Sequence, residues 1–131
     1  MTQVADATVV VAALVDSGDD GEWAESVLRG GGLAAPHLLP VEVANILRRF
    51  AMVGNLTPEV AALAHADLLQ LRVQFFPYEP VAARAWVLRE NLTTYDAWYV
   101  ALAEALEVPL ATLDLRLSRA PGPRCEFVVP T

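Results

Sequence analysis

The chain has 131 residues, of which 55% are apolar and 19% charged, and its formal net charge is −7. This length and apolar content predict a single domain over residues 1–131 and exclude disordered, coiled-coil and collagen-like chains. Its nine cationic residues are all arginine, which excludes mechanisms that need a lysine, and the acidic balance argues against unspecific coating of nucleic acid.

The first half of the chain predicts short strands that alternate with helices. A strand at Gln3–Ala5 leads into the apolar run Ala7–Val15, where a short helix begins. The acids at the start of Asp19–Leu28 suit the positive end of a helix dipole, so this segment is the next predicted helix. A strand at Leu33–Ala35 and a helix at Val41–Met52 follow.

The second half continues this alternation. Thr57 and Pro58 predict the start of an amphipathic helix, because threonine is a favoured N-cap and proline is favoured in the first turn. The remaining predicted elements are a strand at Val73–Phe76, a helix at Pro80–Arg89, a helix from Thr93 or Thr94 to Glu107, and strands at Val108–Leu113 and Glu126–Val129 with a short helix between them.

Strands this short, without polar alternation, are typical of a parallel sheet that is buried on both faces. With right-handed crossovers, the element order predicts an α/β fold, a three-layer α/β/α sandwich with a mostly parallel sheet. In such folds the polar chemistry collects beyond the carboxyl ends of the strands.

Cysteine content and hydropathy indicate the compartment. The single cysteine, Cys125, cannot form an internal disulfide, and no apolar run approaches the ~18 residues of a membrane span. No lysine or arginine precedes Arg29, so the N-terminus does not resemble a secretory signal. We therefore expect a soluble cytoplasmic protein without membrane contact.

Four acids are predicted at the carboxyl edge of the sheet, at a strand end or in the first turn of a helix: Asp6, Glu42, Asp96 and Asp114. Each has apolar neighbours, so we expect these carboxylates to be partly buried. Taken singly, each acid is also compatible with a helix cap or a solvated turn. Taken together, the four predict one acidic site.

The chemistry of this acidic set favours a divalent metal. Clustered carboxylates cannot all stay ionised without a positive charge among them, and no arginine adjoins Asp6, Glu42 or Asp96. Oxygen ligands without histidine or cysteine select hard cations, so the sequence predicts a site for Mg²⁺, with Mn²⁺ able to substitute. Such a site activates water in phosphodiester hydrolysis.

Four segments resemble the four acidic motifs of PIN domains, in the same order and with similar spacing. They are VADATVVVAAL at Val4–Leu14, LPVEVANILRR at Leu39–Arg49, TYDAWYVALAE at Thr94–Glu104 and PLATLDLRL at Pro109–Leu117. The similarity spans nearly the whole chain and is strongest for the short bacterial VapC-type toxins of type II toxin–antitoxin pairs.

This resemblance implies a Mg²⁺-dependent endoribonuclease that cuts RNA, forms a homodimer and is held inactive by a cognate VapB-type antitoxin. It also implies roles for single residues. The acidic quartet would be both catalytic and metal-ligating, with Asp6 and Asp96 the firmest ligands. Thr8 and Thr112 match hydroxyl positions that support those acids, and Asn45 matches a polar residue packed near Glu42.

A basic segment directly follows the last acid of the quartet. Arg116, Arg119 and Arg124 lie between Leu115 and Cys125 with no acid among them. We hypothesise that Arg116 and Arg119 contact RNA phosphates; a solvated turn is an equally good interpretation of the same pattern.

Other functions fit the residues less well. Gly30-Gly31-Gly32 lacks the lysine and the spacing of a phosphate-binding loop, so no nucleotide cofactor is expected. Trp86, Trp98 and Tyr99 lie on apolar helices and are predicted to pack in the core in preference to stacking on bases, and a dimer face is an alternative for Trp98 and Tyr99. The remaining alternatives are a PIN-domain nuclease that is not a toxin and a catalytically silent PIN-like interaction module.

Overall fold

A computed structural model describes all residues, 1–131, as a five-stranded sheet with seven α-helices. In chain order the elements are β1 Thr2–Ala5, α1 Ala7–Val15, α2 Asp19–Arg29, β2 Gly32–Pro36, α3 Leu39–Met52, α4 Pro58–Gln70, β3 Val73–Phe76, α5 Ala82–Val87, α6 Thr94–Leu106, β4 Leu110–Ala111, α7 Leu115–Arg119 and β5 Phe127–Val128. Two 3₁₀ turns, Glu79–Val81 and Leu88–Glu90, flank α5. No helix has both the length and the apolar character needed to cross a membrane.

The sheet is parallel throughout, in the strand order β3-β2-β1-β4-β5. In the central strand β1, Val4 pairs with Ala34 of β2 on one side and with Leu110 of β4 on the other. The chain builds outward from β1 through β2 to β3 and then returns to add β4 on the opposite side. Such a reversal opens a crevice at the carboxyl ends of the two strands beside it, here β1 and β4.

Apolar packing on both faces of the sheet forms the core. Val4 belongs to a cluster of 22 buried residues that joins the sheet to α3, α4, α5 and α6. The next residue, Ala5, points to the opposite face and belongs to a cluster of seven that includes Ala24 and Val27 of α2. Because successive side chains of β1 point to opposite faces, the sheet packs against a layer of helices on each side. The predicted α/β/α sandwich is therefore confirmed.

Several element boundaries differ from the predicted ones. The strand predicted at Val108–Leu113 is reduced to Leu110–Ala111, because Glu107 ends α6 in the left-handed conformation, with φ of 56°, and Pro109 carries no N–H for a sheet ladder. The helix predicted at Pro80–Arg89 is α-helical only at its centre. The last strand keeps two of its four predicted residues, and α3 begins two residues earlier than predicted.

Candidate acidic site

Asp6 lies directly after β1 and caps the N-terminus of α1. Asp6 is only 5% exposed, and both oxygens of its carboxylate accept hydrogen bonds. Oδ1 accepts from the Thr8 hydroxyl at 2.5 Å and from the N–H groups of Thr8 at 3.0 Å and Val9 at 3.3 Å. Oδ2 accepts from the buried Thr112 hydroxyl at 2.5 Å. These donors offset part of the free-energy cost of burying the carboxylate.

The two threonines also connect the ends of β1 and β4. The Thr8 hydroxyl accepts from the N–H of Leu113 at 3.0 Å, and the Thr112 hydroxyl accepts from the N–H of Asp114 at 2.9 Å. Each hydroxyl therefore links Asp6 to the loop after β4. Thr8 and Thr112 thus both contact Asp6.

Asp114 begins α7 as its N-cap. Its Oδ1 accepts from the N–H groups of Arg116 at 3.0 Å and Leu117 at 3.3 Å. The guanidinium of Arg116 reaches Oδ2 at 3.4 Å, but that side chain is 90% exposed. A pair this open is screened by water, so Arg116 is only loosely held against Asp114.

Asp96 and Glu42 approach from two different helices. Asp96 lies in the first turn of α6, where its N–H donates to the Thr93 hydroxyl at 3.2 Å. Glu42 lies in the first turn of α3. Its Oε1 accepts a hydrogen bond from the hydroxyl of Tyr99 at 2.6 Å. Both carboxylates are partly buried.

The polar role of Tyr99 is not evident from the sequence. The apolar pattern of its helix predicts core packing, and the residue is indeed only 1% exposed. Its phenol nevertheless donates a hydrogen bond to the Glu42 carboxylate. Burial and the charge of Glu42 raise the pKa of Tyr99, so the phenol stays protonated and donates. The available signal is the spacing of Tyr99 three residues after Asp96, which puts both on one side of α6.

Electrostatic coupling shows which acids lie near one another. Burial raises the pKa of Asp6, and the charge of Asp96 raises it further, although threonine hydrogen bonds oppose the shift. Burial raises the pKa of Glu42, and the charges of Asp96 and Asp6 add to it against the Tyr99 hydrogen bond. Burial and the charge of Asp114 raise the pKa of Asp96. Each acid of the quartet therefore interacts with at least one other.

The four carboxylates interact electrostatically, but they are not arranged as a complete set of metal ligands. No group of three or more histidine, cysteine, aspartate or glutamate side chains has the geometry to hold a metal ion. The donor chemistry nevertheless suits a hard dication, because all the groups are carboxylates whose mutual repulsion such an ion would relieve. Two other residues of the predicted set are exposed, Asn45 on α3 and Arg119 at the end of α7.

A cleft of about 270 Å³ adjoins the acidic site. It is lined by Asp96, Asp114 and Arg116 together with Leu92 and Leu117. The cleft therefore brings the exposed Arg116 side chain into the same lining as two of the acids.

A second cavity, of about 530 Å³, lies elsewhere. It is lined by the C-terminal end of α6 and by Cys125, and it contains none of the four predicted acids. Burial raises the pKa of Cys125 to about 11, so its thiol is not a ready nucleophile.

The chain is similar to known protein sequences over most of its length. A family model described as "PIN domain" matches residues 4–123. The chain is 43% identical over 125 residues to the ribonuclease VapC1 of Mycobacterium tuberculosis, covering 95% of this chain and 94% of that protein. It is 38% identical over 126 residues to ribonuclease VapC9 of the same species, covering 96% of each.

Solved structures share the fold. The chain is similar to PAE2754 from Pyrobaculum aerophilum with a TM-score of 0.73 at 23% identity, covering 97% of this chain and 83% of that one. It also matches a structure of VapBC2 from Rickettsia felis bound to a promoter DNA fragment, with a TM-score of 0.68 at 13% identity and 98% of both chains covered.

Proposed function

Because the chain belongs to the PIN-domain family, and to the VapC group within it, we propose that it is a Mg²⁺-dependent endoribonuclease and the toxin of a toxin–antitoxin pair. The observation that carries the proposal is the mutual repulsion of partly buried carboxylates with no lysine and no firmly held arginine among them. Residues 1–131 act as one catalytic domain in the cytoplasm.

The four acids have distinct roles in this proposal. Asp6, Asp96 and Asp114 hold the divalent cation, and Glu42 completes the site or assists removal of the proton from the attacking water. When bound, Mg²⁺ or Mn²⁺ lowers the pKa of that water and balances the charge that develops on the phosphate. Thr8 and Thr112 orient the carboxylate of Asp6.

The exposed arginines provide a second contact with RNA. Arg116 is held only loosely to Asp114 and lines the cleft beside the acids, so it is free to move to a phosphate of the substrate. Arg119, one turn later on α7, extends the same basic surface.

The proposed partners are a cognate VapB-type antitoxin and a second copy of this chain. The structural relatives support the first, since they include VapBC2 of Rickettsia felis on promoter DNA and FitAB on a DNA fragment. A protein encoded beside this chain should therefore co-purify with it and abolish its RNA cleavage. Cleavage that such a protein leaves unchanged would favour a PIN-domain nuclease that is not a toxin.

A cleavage assay tests the catalytic proposal. The purified protein should cut RNA with Mg²⁺ or Mn²⁺ and stop when a chelator is added, leaving products with 5′-phosphate and 3′-hydroxyl ends. Asp96→Asn should lower the cleavage rate by about 100-fold or more, whereas Asp20→Asn, on the exposed start of α2, should not. Persistent cleavage by Asp96→Asn would refute the role of Asp96.

A further inference from the structure

The Glu42 carboxylate accepts a hydrogen bond from the buried phenol of Tyr99. The hydroxyl of Tyr99 lies 2.6 Å from Oε1 of Glu42, and the two residues are 57 positions apart in the chain. Tyr99 is 1% exposed and belongs to the larger apolar cluster, so its ring is fixed by packing. A rigid donor of this kind limits where the Glu42 carboxylate can point.

Helix α6 therefore serves two acids at once. It carries Asp96 in its first turn, and Tyr99 follows three residues later on the same side. Through Tyr99, α6 also reaches Glu42 on α3. The relative position of the two carboxylates therefore depends on the Tyr99 hydrogen bond as well as on how α3 and α6 pack.

We propose that Tyr99 is a positioning residue for Glu42, an inference that rests on the metal-dependent function proposed above. By bonding Oε1, its hydroxyl fixes the orientation of the Glu42 carboxylate. The carboxylate keeps lone pairs with which it would serve the cation or the attacking water.

The chemical identity of the donor supports this role. A lysine or arginine on Glu42 would also hold the carboxylate, but it would cancel the negative charge that the cation requires. A phenol donates a hydrogen bond without adding charge. Asp6 is likewise oriented by uncharged donors, the hydroxyls of Thr8 and Thr112.

Tyr99→Phe is the direct test, because it removes the hydroxyl and keeps the ring that packs in the core. Mn²⁺ binding should be measured calorimetrically in the absence of RNA, and RNA cleavage should be measured as a function of Mn²⁺ concentration. We expect the Mn²⁺ concentration for half-saturation to rise about 10-fold in both measurements. Tyr95→Phe, at an exposed position on the same helix, is the matched control and should change neither.

A second variant separates positioning from packing. In a Glu42→Gln background, Tyr99→Phe should cause little further loss of Mn²⁺ binding, because the carboxylate it positions is gone. An equal loss in both backgrounds, or unchanged Mn²⁺ binding in the single variant, would overturn the role of Tyr99. A wild-type protein that binds no Mn²⁺ and cuts no RNA would instead overturn the proposed function.

Discussion

At the scale of single residues, Asp6 shows how a charge is kept inside the protein. Burial raises its pKa, and hydrogen bonds from Thr112, Thr8 and the N–H of Val9 act in the opposite direction. The hydroxyls replace part of the hydration that the carboxylate loses on folding.

Removing one of these hydroxyls should destabilise the fold as well as the site. Thr112→Val deprives Asp6 of the donor on Oδ2 and deprives the N–H of Asp114 of its acceptor. We expect a loss of about 1–3 kcal/mol in the free energy of unfolding, measured by urea denaturation. Thr94→Val, at an exposed position in the first turn of α6, is the control, and equal stability of both variants would contradict the prediction.

Replacing Asp96 should stabilise the fold, although the same change should lower the cleavage rate. Its pKa is raised by burial and by the charge of Asp114, although Arg116 and Thr93 lower it, so its ionised form opposes folding at neutral pH. We expect Asp96→Asn to raise the melting temperature of the metal-free protein by about 3 °C or more. Addition of Mg²⁺ should raise the melting temperature of the wild type and not that of the variant. An Mg²⁺ response that survives in the variant would count against this role of the Asp96 charge.

At the scale of secondary-structure elements, α6 connects the site to the rest of the fold. Its first turn carries Asp96, and its last turn carries Glu104, which binds Arg84 of α5 through two hydrogen bonds of 2.7 and 3.1 Å. The N–H of Arg124 donates to the same carboxylate at 2.7 Å. The end of α6 remote from the acids is thereby tied to α5 and to the C-terminal segment.

This ion pair should make stability depend on acid pH. Burial acts to raise the pKa of Glu104, but hydrogen bonds from Arg84 and Arg124 outweigh it, so the pKa lies below its usual value. The pair stabilises the fold above the usual glutamate pKa and is lost as the pH falls through the lowered one. Arg84→Met should therefore cost about 1–2 kcal/mol at neutral pH and progressively less below about pH 4, in denaturation curves across pH.

A surface pair provides the comparison for that experiment. Arg29 and Glu25 lie 3.6 Å apart on α2 with both side chains largely exposed, so Arg29→Met should change the stability little at any pH. A loss for Arg84→Met that does not vary with pH would show that packing, and not the charge of Glu104, accounts for the effect.

Sequence patterns predict the order and type of these elements because each has a local cause. Thr57 and Thr93 are N-caps in the structure, as their positions before helical runs indicate. The bond from the Thr112 hydroxyl to Asp6 has no local cause of this kind, since the two residues are 106 positions apart in the chain. The Tyr99–Glu42 bond escapes sequence reasoning for the same reason, because it depends on how α3 and α6 meet.

At the scale of the whole molecule, charge is distributed unevenly. The net charge of −7 opposes the approach of any polyanion, while Arg116 and Arg119 lie on α7 directly after an acid of the site. If the protein acts on RNA as proposed, we expect RNA binding to depend strongly on these few cations and therefore to be sensitive to salt.

Changing both arginines should reduce that sensitivity. For Arg116→Ala/Arg119→Ala we expect weaker RNA cleavage and a slope of log(kcat/KM) against log[salt] that flattens by about 0.7 for each phosphate that the variant no longer neutralises. Steady-state cleavage at several salt concentrations measures this slope. Arg72→Ala, at an exposed position before β3, should leave it unchanged, and identical slopes for the double variant and the wild type would refute the phosphate contacts.

The hydroxyl links from Asp6 to the loop after β4 also affect how an inactive variant should be chosen. Strand β4 is only two residues long, and its attachment to β1 is reinforced by Thr8 and Thr112 acting through Asp6. Replacing Asp6 would therefore weaken the attachment of β4 to β1 as well as remove a charge. For trapping an intact substrate complex, substitution of Asp96 is the cleaner choice, since its side chain bridges no strands.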